Sequence, residues 1–343
     1  MYNSLGLHGH SADCGRINID SLRLNSLNAF LSAGRPAQAA RTSRMSVTMK
    51  QNRMTKGVML MVLSSVAFCA MSVLIKCVPG IDSFKTSLFR FFIGMAVLGT
   101  AALFGFIHLR FLNGRLLFLR GLFGGLAVFL FFLSIAKLGI AKGTVISYSY
   151  PIFASVLGIV FLHEKPGWRQ WLALAAALFG IILLSGSGSG ISGLMTIGVY
   201  EVLALAGAVF SAIAVVVIKR LHDTDSTYAI FYSQCVIGLW LMVVPANLVP
   251  CSIGYLGGAI LLGIGLAATV AQLLMTEGYR YTSVSVGSLL CMTLPVFNFL
   301  VGVLVFHEPM PLRAVVGSIV VIASCMLVIM IENHSEPAIA KIG

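Results

Sequence analysis

The chain has 343 residues, of which 58% are apolar and only 10% are charged, and its formal net charge is +12. A composition this apolar excludes a soluble globular domain and indicates an integral membrane protein. Nucleic acid is not expected as a partner, because basic residues in a membrane protein report topology first.

Residues 1–53 differ from the rest of the chain, because they are rich in Ser, Asn, Arg and Ala and contain no apolar run that could span a bilayer. This composition predicts a disordered N-terminal extension. Its Ser and Arg content faintly resembles an organelle transit peptide. The simpler explanation is a start codon assigned too early, with Met45, Met49 or Met54 as the working first residue.

The rest of the chain contains ten continuous apolar segments of about 20 residues, the length that a helix needs to cross a bilayer. Strands of a membrane barrel would instead alternate over about ten residues. We therefore predict an all-α membrane protein with ten transmembrane helices. The predicted spans are 57–79, 84–107, 116–136, 140–162, 168–186, 195–218, 227–249, 253–276, 282–306 and 311–331.

The basic residues between the spans indicate the topology. With the N-terminus inside, most of the loop Lys and Arg residues fall in the cytosol, among them Arg110, Arg115 and Arg120. Cytoplasmic loops carry such an excess of positive charge. Both termini are therefore predicted to be cytosolic, including the tail at 333–343.

One phrase occurs twice in the sequence. PIFASVLGIVFLHE (Pro151–Glu164) and PVFNFLVGVLVFHE (Pro295–Glu308) share Pro, Phe, Gly, His and Glu at the same spacing. The echo reaches further, because Lys76, Asp82, Ser83 and Lys137 recur as Lys219, Asp225, Ser226 and Arg280. Such a period indicates a duplicated unit. Each copy has five spans, an odd number, so the repeats at 56–187 and 195–332 must be inverted in the membrane.

Inverted repeats are typical of secondary transporters, which expose one central site alternately to each side of the membrane. Pro151 and Pro295 lie near the middle of spans four and nine. Proline has no N–H and frees a carbonyl four residues earlier, here on Ser147 and Cys291. Such carbonyls should face protein, water or ligand. A simple kink is an equally good explanation of both prolines.

Helical spacing places a narrow face of small and polar residues on each proline helix. Ser147 and Pro151 share this face on span four, and Cys291, Pro295 and Asn298 share it on span nine. Such a face is first of all a surface for close helix packing. Its polar groups also make it a candidate substrate site. Tyr148 and Tyr150 are further candidates for the substrate site. They could stack on a substrate or belong to the core.

Charged and polar residues within spans are costly and often functional. Arg90 lies about two turns into span two and needs a partner or access to water. Glu201, about two turns into span six, is a candidate for titration or for pairing with a cationic substrate group, and snorkelling to the interface is its alternative. Gln272 in span eight is a candidate wall residue or an ordinary interhelical hydrogen bonder.

No motif supports catalysis or a cofactor. The two His-Glu pairs lack the second His of a zinc protease motif, since Gly167 and Pro311 stand at those positions. Cysteines show no metal-ligand spacing, and no GxSxG or Walker A motif is present. We therefore predict no catalytic site, metal or cofactor. A membrane enzyme or sensor that uses the same scaffold is the alternative of another class.

The duplication, the doubled phrase and RFFIG (Arg90–Gly94) resemble the EamA family of the drug/metabolite transporter superfamily over about residues 56–332. The resemblance implies a ten-helix inverted-repeat fold with a central cavity. It favours an exporter of amino acids, metabolites or drugs, with uptake or exchange of S-adenosylmethionine or a nucleotide-like metabolite as the alternative. The expected partners are a small-molecule substrate and the lipid bilayer, and a homodimer is possible.

Overall fold

The computed structural model describes residues 52–77, 81–185, 198–248 and 254–334. From Arg53 onward these residues belong to one compact unit. The predicted disordered extension at 1–53 falls almost wholly outside the described residues, and the predicted tail at 333–343 falls largely outside them.

All ten predicted spans are present as helices long and apolar enough to cross a membrane. Spans four and nine each consist of two helices, so the described residues form twelve helices. These are α1 (Asn52–Lys76), α2 (Ser83–Leu103), α3 (Gly114–Leu138), α4 (Ile140–Ser147), α5 (Tyr150–Leu162), α6 (Trp168–Ser185), α7 (Val199–Leu221), α8 (Thr227–Asn247), α9 (Tyr255–Tyr281), α10 (Val284–Cys291), α11 (Thr293–Phe306) and α12 (Leu312–His334).

Short polar side chains start several of these helices. Asp82 accepts a hydrogen bond from the Phe84 N–H before α2, and Ser226 accepts one from the Ala229 N–H before α8. Such caps satisfy N–H groups that have no partner within the helix. The two caps are not equivalent residues, because Asp225, the counterpart of Asp82, accepts instead from the N–H groups of Leu112 and Asn113 before α3.

Contacts made by the helices of one repeat recur between the equivalent helices of the other. Helix α3 packs against α7 and α8, and α9 makes the matching contacts with α1 and α2. Other large contacts pair equivalent helices, α2 with α8 and α6 with α12, and α5 also packs against α7. A contact pattern that is unchanged when the repeats are exchanged is what two copies related by a two-fold axis produce.

The contact between α6 and α12 is made by bare backbone. A Cβ atom built on Gly180 would lie 2.8 Å from the Gly317 carbonyl oxygen, and one on Gly317 would lie 2.5 Å from the Gly180 oxygen. Neither residue can carry a side chain here without displacing the partner helix. Small residues at such crossings let membrane helices approach closely.

The doubled phrase forms the same helix ending twice. His163 (φ 55°) and His307 (φ 51°) adopt the left-handed conformation after α5 and α11. The N–H of the glutamate that follows each histidine donates to a glycine carbonyl at 3.1 Å, Glu164 to Gly158 and Glu308 to Gly302. A left-handed residue after the last helical turn is a common way to end a helix.

The conserved spacing of glycine and glutamate within the phrase also has a steric reason. Each glutamate carboxylate folds back over its glycine, and a Cβ on Gly158 would lie 3.2 Å from the Glu164 carboxylate. At Gly302 the Glu308 carboxylate is closer still. The phrase is therefore repeated because both copies build one compact helix end.

The two copies lie at opposite ends of the bundle. The Glu164 carboxylate accepts hydrogen bonds from the N–H of Val284, the first residue of α10, at 2.8 and 3.1 Å. Glu308 follows the far end of the same span, after α11. One full span thus separates the two glutamates, as inverted repeats require.

Candidate functional site

A cavity of about 270 Å³ lies between the two repeats, where the broken spans meet α1, α2, α3, α7, α8 and α9. Its size is near the lower end of the range of about 300 to 1,000 Å³ typical of small-molecule sites. The polar lining residues are Ser65, Arg90, Arg120, Ser147, Tyr148, Tyr150, Ser211, Gln234, Gln272 and Cys291.

The breaks in spans four and nine bring residues into this cavity. Helix α4 ends at Ser147 and α5 begins at Tyr150, immediately before Pro151. Helix α10 ends at Cys291 and α11 begins at Thr293. The hydrogen-bonded helix is thus interrupted for one or two residues just before each proline, while the residues there keep near-helical dihedral angles, which agrees with a kink at each proline. Ser147 and Cys291, which end the first half-helices, line the cavity.

The cavity brings together only part of the predicted set of site residues. The predicted residues that line it are Arg90, Ser147, Tyr148, Tyr150, Gln272 and Cys291. Pro151 is buried, Pro295 is half-buried and Asn298 is exposed, and none of these three is among the lining residues.

Glu201 also lies away from the cavity. Helix α7 begins at Val199, so Glu201 stands in its first turn and the prediction that it lies two turns deep is wrong. Its carboxylate accepts from Lys142 Nζ at 2.5 Å and from the Gly198 N–H at 3.0 Å. A carboxylate near a helix N-terminus is stabilised by the helix dipole.

Arg90 is buried within α2, with 8% of its surface exposed, and faces the cavity. Its Nε atom has no hydrogen-bond partner, and among the described residues no group accepts a bond from its guanidinium. The guanidinium lies 5.3 Å from the ring centroid of Phe91. Arg90 thus presents an uncompensated positive charge to the cavity.

Arg120 corrects a sequence-based prediction, because it was expected in the cytosol. It is only 2% exposed and lines the cavity. Helix α3 begins at Gly114, so Arg120 lies about 9 Å along the helix at 1.5 Å per residue. Its Nη2 donates to Gln234 Oε1 at 2.7 Å, and its Nε has no partner.

A glycine next to Arg120 makes room for its guanidinium. Arg120 Nη1 lies in the space that a Cβ on Gly124 would occupy, and the Gln234 amide nitrogen lies 3.0 Å from that position. The run Arg120-Gly121-Leu122-Phe123-Gly124-Gly125 was therefore the signal for this site. An arginine followed by glycines at helical spacing can fold along its own helix.

The cavity contains two guanidinium groups and no side chain of opposite charge. Among the described residues that line it, none is Asp, Glu, Lys or His. Arg90 and Arg120 are near enough to interact electrostatically. Like charges in a medium of low dielectric constant repel strongly. The lining is thus electropositive without an internal counter-ion.

One wall of the cavity is aromatic. The rings of Tyr148 and Tyr150 lie 6.5 Å apart at 56°. The Tyr150 hydroxyl donates to the Ser288 carbonyl at 3.4 Å, and the Tyr279 hydroxyl is 3.2 Å from Ser288 Oγ. These bonds orient the tyrosines against α10. Apolar residues complete the walls, among them Phe68, Phe131, Phe132 and Met275.

The two ends of the bundle are packed differently. At the end that holds Glu164, hereafter the Glu164 end, α10 is buried from Val284 to Leu290. At the opposite Glu308 end, the described side chains of the equivalent helix α4 include several that are partly exposed, such as Lys142, Thr144 and Ile146. On α1 the cavity is lined by Ser65, Phe68 and Met71, in the half nearer the Glu308 end.

Ten membrane-spanning helices in two inverted repeats, with a cavity between them, define a small-molecule transporter. Comparison with known families specifies which kind. Residues 55–186 and 198–330 each match the EamA-like transporter family, so the chain belongs to that family. The two matches coincide with the two repeats.

Several relatives have named functions. The pseudopaline exporter CntI of Pseudomonas aeruginosa is 26% identical over 79% of this chain and 94% of its own length. Mouse solute carrier family 35 member G1 is 26% identical over 78% of this chain and 76% of its own. The S-adenosylmethionine uptake transporter of Rickettsia bellii is 30% identical over 30% of this chain and 36% of its own.

A solved crystal structure has the same fold. It superimposes with a TM-score of 0.66 at 17% sequence identity and covers 79% of this chain and 97% of that chain. The inverted-repeat architecture is therefore shared with an experimentally determined protein.

Proposed function

We propose that the protein is a secondary active transporter that carries small organic metabolites across a bacterial inner membrane by alternating access. The observation that carries this proposal is the cavity at the junction of the two repeats, beside the two broken spans. Alternating access places a substrate site at the interface of inverted repeats near the middle of the membrane.

The unequal packing of the two ends supports alternating access. The Glu164 end buries its half-helix α10, whereas the Glu308 end leaves α4 partly exposed. Because the two ends are built from equivalent sequence, the reverse arrangement is available to the same fold. Exchange between these two arrangements would expose the cavity to one side and then to the other.

Export is the favoured direction, with amino acids, metabolites or drugs as substrates. The relation to an exporter across 79% of this chain supports it. Uptake or exchange of S-adenosylmethionine or a nucleotide-like metabolite is the alternative, supported by the shorter match to an uptake transporter. The excess of basic residues at the Glu164 end supports a cytosolic location for that end and for both termini.

The proposal is tested with purified protein in liposomes. Vesicles are loaded with a mixture of amino acids, organic acids, nucleosides and cationic drugs, and solute loss is followed by mass spectrometry against protein-free vesicles. A transporter releases at least one class, and release saturates with concentration. Gly180→Val, which inserts a side chain where α6 and α12 touch, should abolish release and serves as the inactive control.

Release equal to that of protein-free vesicles, with protein that is folded and inserted, would contradict transport and favour a membrane enzyme or sensor. Direction is tested separately in cells that lack or overproduce the protein. Export predicts a lower internal level of the released solute on overproduction, and uptake predicts a higher one.

A further inference from the structure

We propose that the cavity binds an organic anion, whose carboxylate or phosphate group lies between Arg90 and Arg120 and whose apolar or aromatic body lies against Tyr148 and Tyr150. This inference rests on the proposed transport function and names the substrate class. It excludes organic cations as the principal cargo.

The first argument is the cost of the two charges. A guanidinium removed from water is stabilised only by an opposite charge or by hydrogen bonds. Arg90 is 8% exposed and Arg120 is 2% exposed, and their Nε atoms have no hydrogen-bond partner. The described residues form no ion pair with either arginine. A bound anion would supply the missing partner for both.

The second argument is geometric. Arg90 on α2 and Arg120 on α3 both line the cavity. Gln234 accepts the Arg120 Nη2–H at 2.7 Å and so fixes that guanidinium at the wall. Planar guanidinium groups bind carboxylate and phosphate oxygens in pairs of parallel hydrogen bonds. Two such groups from different helices form an anion site that one arginine alone would not.

The third argument is the composition of the rest of the lining, which is aromatic and apolar and not acidic. None of the described lining residues is acidic, so a cationic substrate group would meet two positive charges and no carboxylate. Glu201, the predicted partner of a cation, already pairs with Lys142 outside the cavity. The tyrosine pair and the phenylalanines provide a surface for an apolar body. Together they fit an amphipathic anion.

The test uses four probes with a similar phenyl body and different charge. Hydrocinnamate carries one negative charge, phenylsuccinate two, hydrocinnamamide none, and phenylpropylamine one positive charge. Thermal stabilisation of the full-length protein in detergent is measured against probe concentration, because a ligand stabilises the folded state by mass action. We expect the order phenylsuccinate, hydrocinnamate, then hydrocinnamamide, with no stabilisation by phenylpropylamine.

Variants assign the effect to the two arginines. Arg90→Gln and Arg120→Gln should each weaken phenylsuccinate binding about tenfold or more, since each removes charged hydrogen bonds. Gly124→Ala keeps both charges but places a methyl group where Arg120 Nη1 lies, and should weaken binding as well. Arg115→Gln is the matched control, because Arg115 is exposed on the same helix.

The outcomes are separable. Stabilisation by phenylpropylamine or hydrocinnamamide equal to that by the anions overturns the inference, as does the absence of stabilisation by either anion. Equal binding of phenylsuccinate by the wild type and both arginine variants also overturns it. If inorganic phosphate raised the melting temperature as much as phenylsuccinate does, the aromatic wall would have no role in binding.

Failure of the inference differs from failure of transport. Liposomes that release phenylpropylamine but not phenylsuccinate retain the transport function and refute the anion site. Arginine-dependent binding of phenylsuccinate without release of any solute retains the anion site and refutes transport.

Discussion

The Glu164 end and the Glu308 end begin with the same sequence phrase and make different contacts. Glu164 accepts two hydrogen bonds from the Val284 N–H and so closes α5 of one repeat onto α10 of the other. Glu308 pairs instead with Lys76, and both of these side chains are 48% exposed. Glu164 thus binds the half-helix of the other repeat, whereas its equivalent Glu308 binds a lysine side chain.

The lysines that accompany these glutamates show the same contrast. Lys219 donates to the carbonyls of Tyr279 and Thr282 at 3.0 and 2.6 Å, at the end of α9. Its counterpart Lys76 lies in solvent-exposed contact with Glu308 and 4.5 Å from the Phe306 ring centroid. The comparison teaches that two inverted repeats of similar sequence can be packed differently. The residues that make the different contacts are the same glutamate and lysine in both repeats.

The strongest test of the comparison removes the charge from each glutamate. Glu164→Gln should destabilise the protein by about 1 to 2 kcal/mol, because the charged acceptor of the partly buried Val284 N–H is replaced by a weaker neutral one. Glu308→Gln should cost less than about 1 kcal/mol, as expected for an exposed ion pair. Thermal unfolding of both variants in one detergent measures the difference. Equal losses would show that the two ends are not distinct.

A second test adds one methyl group to each short half-helix. A Cβ on Gly287 of α10 would lie 2.6 Å from a Tyr279 ring carbon and 2.8 Å from Met61 Cε. Gly287→Ala should therefore cost about 1 to 3 kcal/mol through overpacking. On Gly143 of α4 the nearest atoms are backbone atoms of Ser134 and Ile135 at 3.1 Å, so Gly143→Ala should also destabilise the protein, but less than Gly287→Ala. Melting temperatures and flux in liposomes check both variants; a neutral Gly287→Ala would contradict tight closure.

A third test compares the two lysines. Lys219→Met leaves the carbonyls of Tyr279 and Thr282 without their donor and should cost about 1 to 2 kcal/mol, the range for a charged hydrogen bond to backbone. Lys76→Met removes an exposed ion pair and should cost less than about 1 kcal/mol. Unfolding in the same detergent measures both. A larger loss for Lys76→Met would reverse the assignment of the closed end.

The smallest expected effect concerns pH at the Glu164 end. Burial lowers the pKa of His222, which follows α7, below its ordinary value of 6.5, and its Nε2 lies 2.7 Å from the Thr276 carbonyl. The folded protein therefore binds fewer protons than the unfolded chain, and stability falls as pH drops from above 6.5. Melting temperatures at pH 7.5 and 5.5 should differ less in His222→Gln than in the wild type. An unchanged difference would exclude His222 as a contributor.

Much of the fold follows from sequence because the bilayer imposes long apolar helices, and a duplicated phrase separated by five spans imposes inversion. Helical spacing up to each proline also places Ser147 and Cys291 correctly. Beyond the proline the same spacing does not identify lining residues, since Pro295 is half-buried, Asn298 is exposed and neither lines the cavity.

Arg120 was missed for a different reason. The predicted span 116–136 already contained Arg120, but the charge near its beginning was assigned to the cytosol, whereas α3 starts at Gly114 and buries the side chain. Only the glycines that follow and the Gln234 amide on α8 make that burial feasible, and the second of these is a contact between distant parts of the chain. Glu201 was predicted too deep rather than too shallow, because α7 starts at Val199 and not at residue 195.

The glycine contact between α6 and α12 limits how the halves can move. The two backbones touch at these glycines without an intervening side chain, and Leu183 and Val321 pack beside the contact. Sliding along this line would drive carbonyl oxygens into one another, so the crossing is suited to serve as a pivot. Displacement in a rotating body grows with distance from its pivot. A small tilt at the α6–α12 crossing would therefore move the helices farthest from it the most.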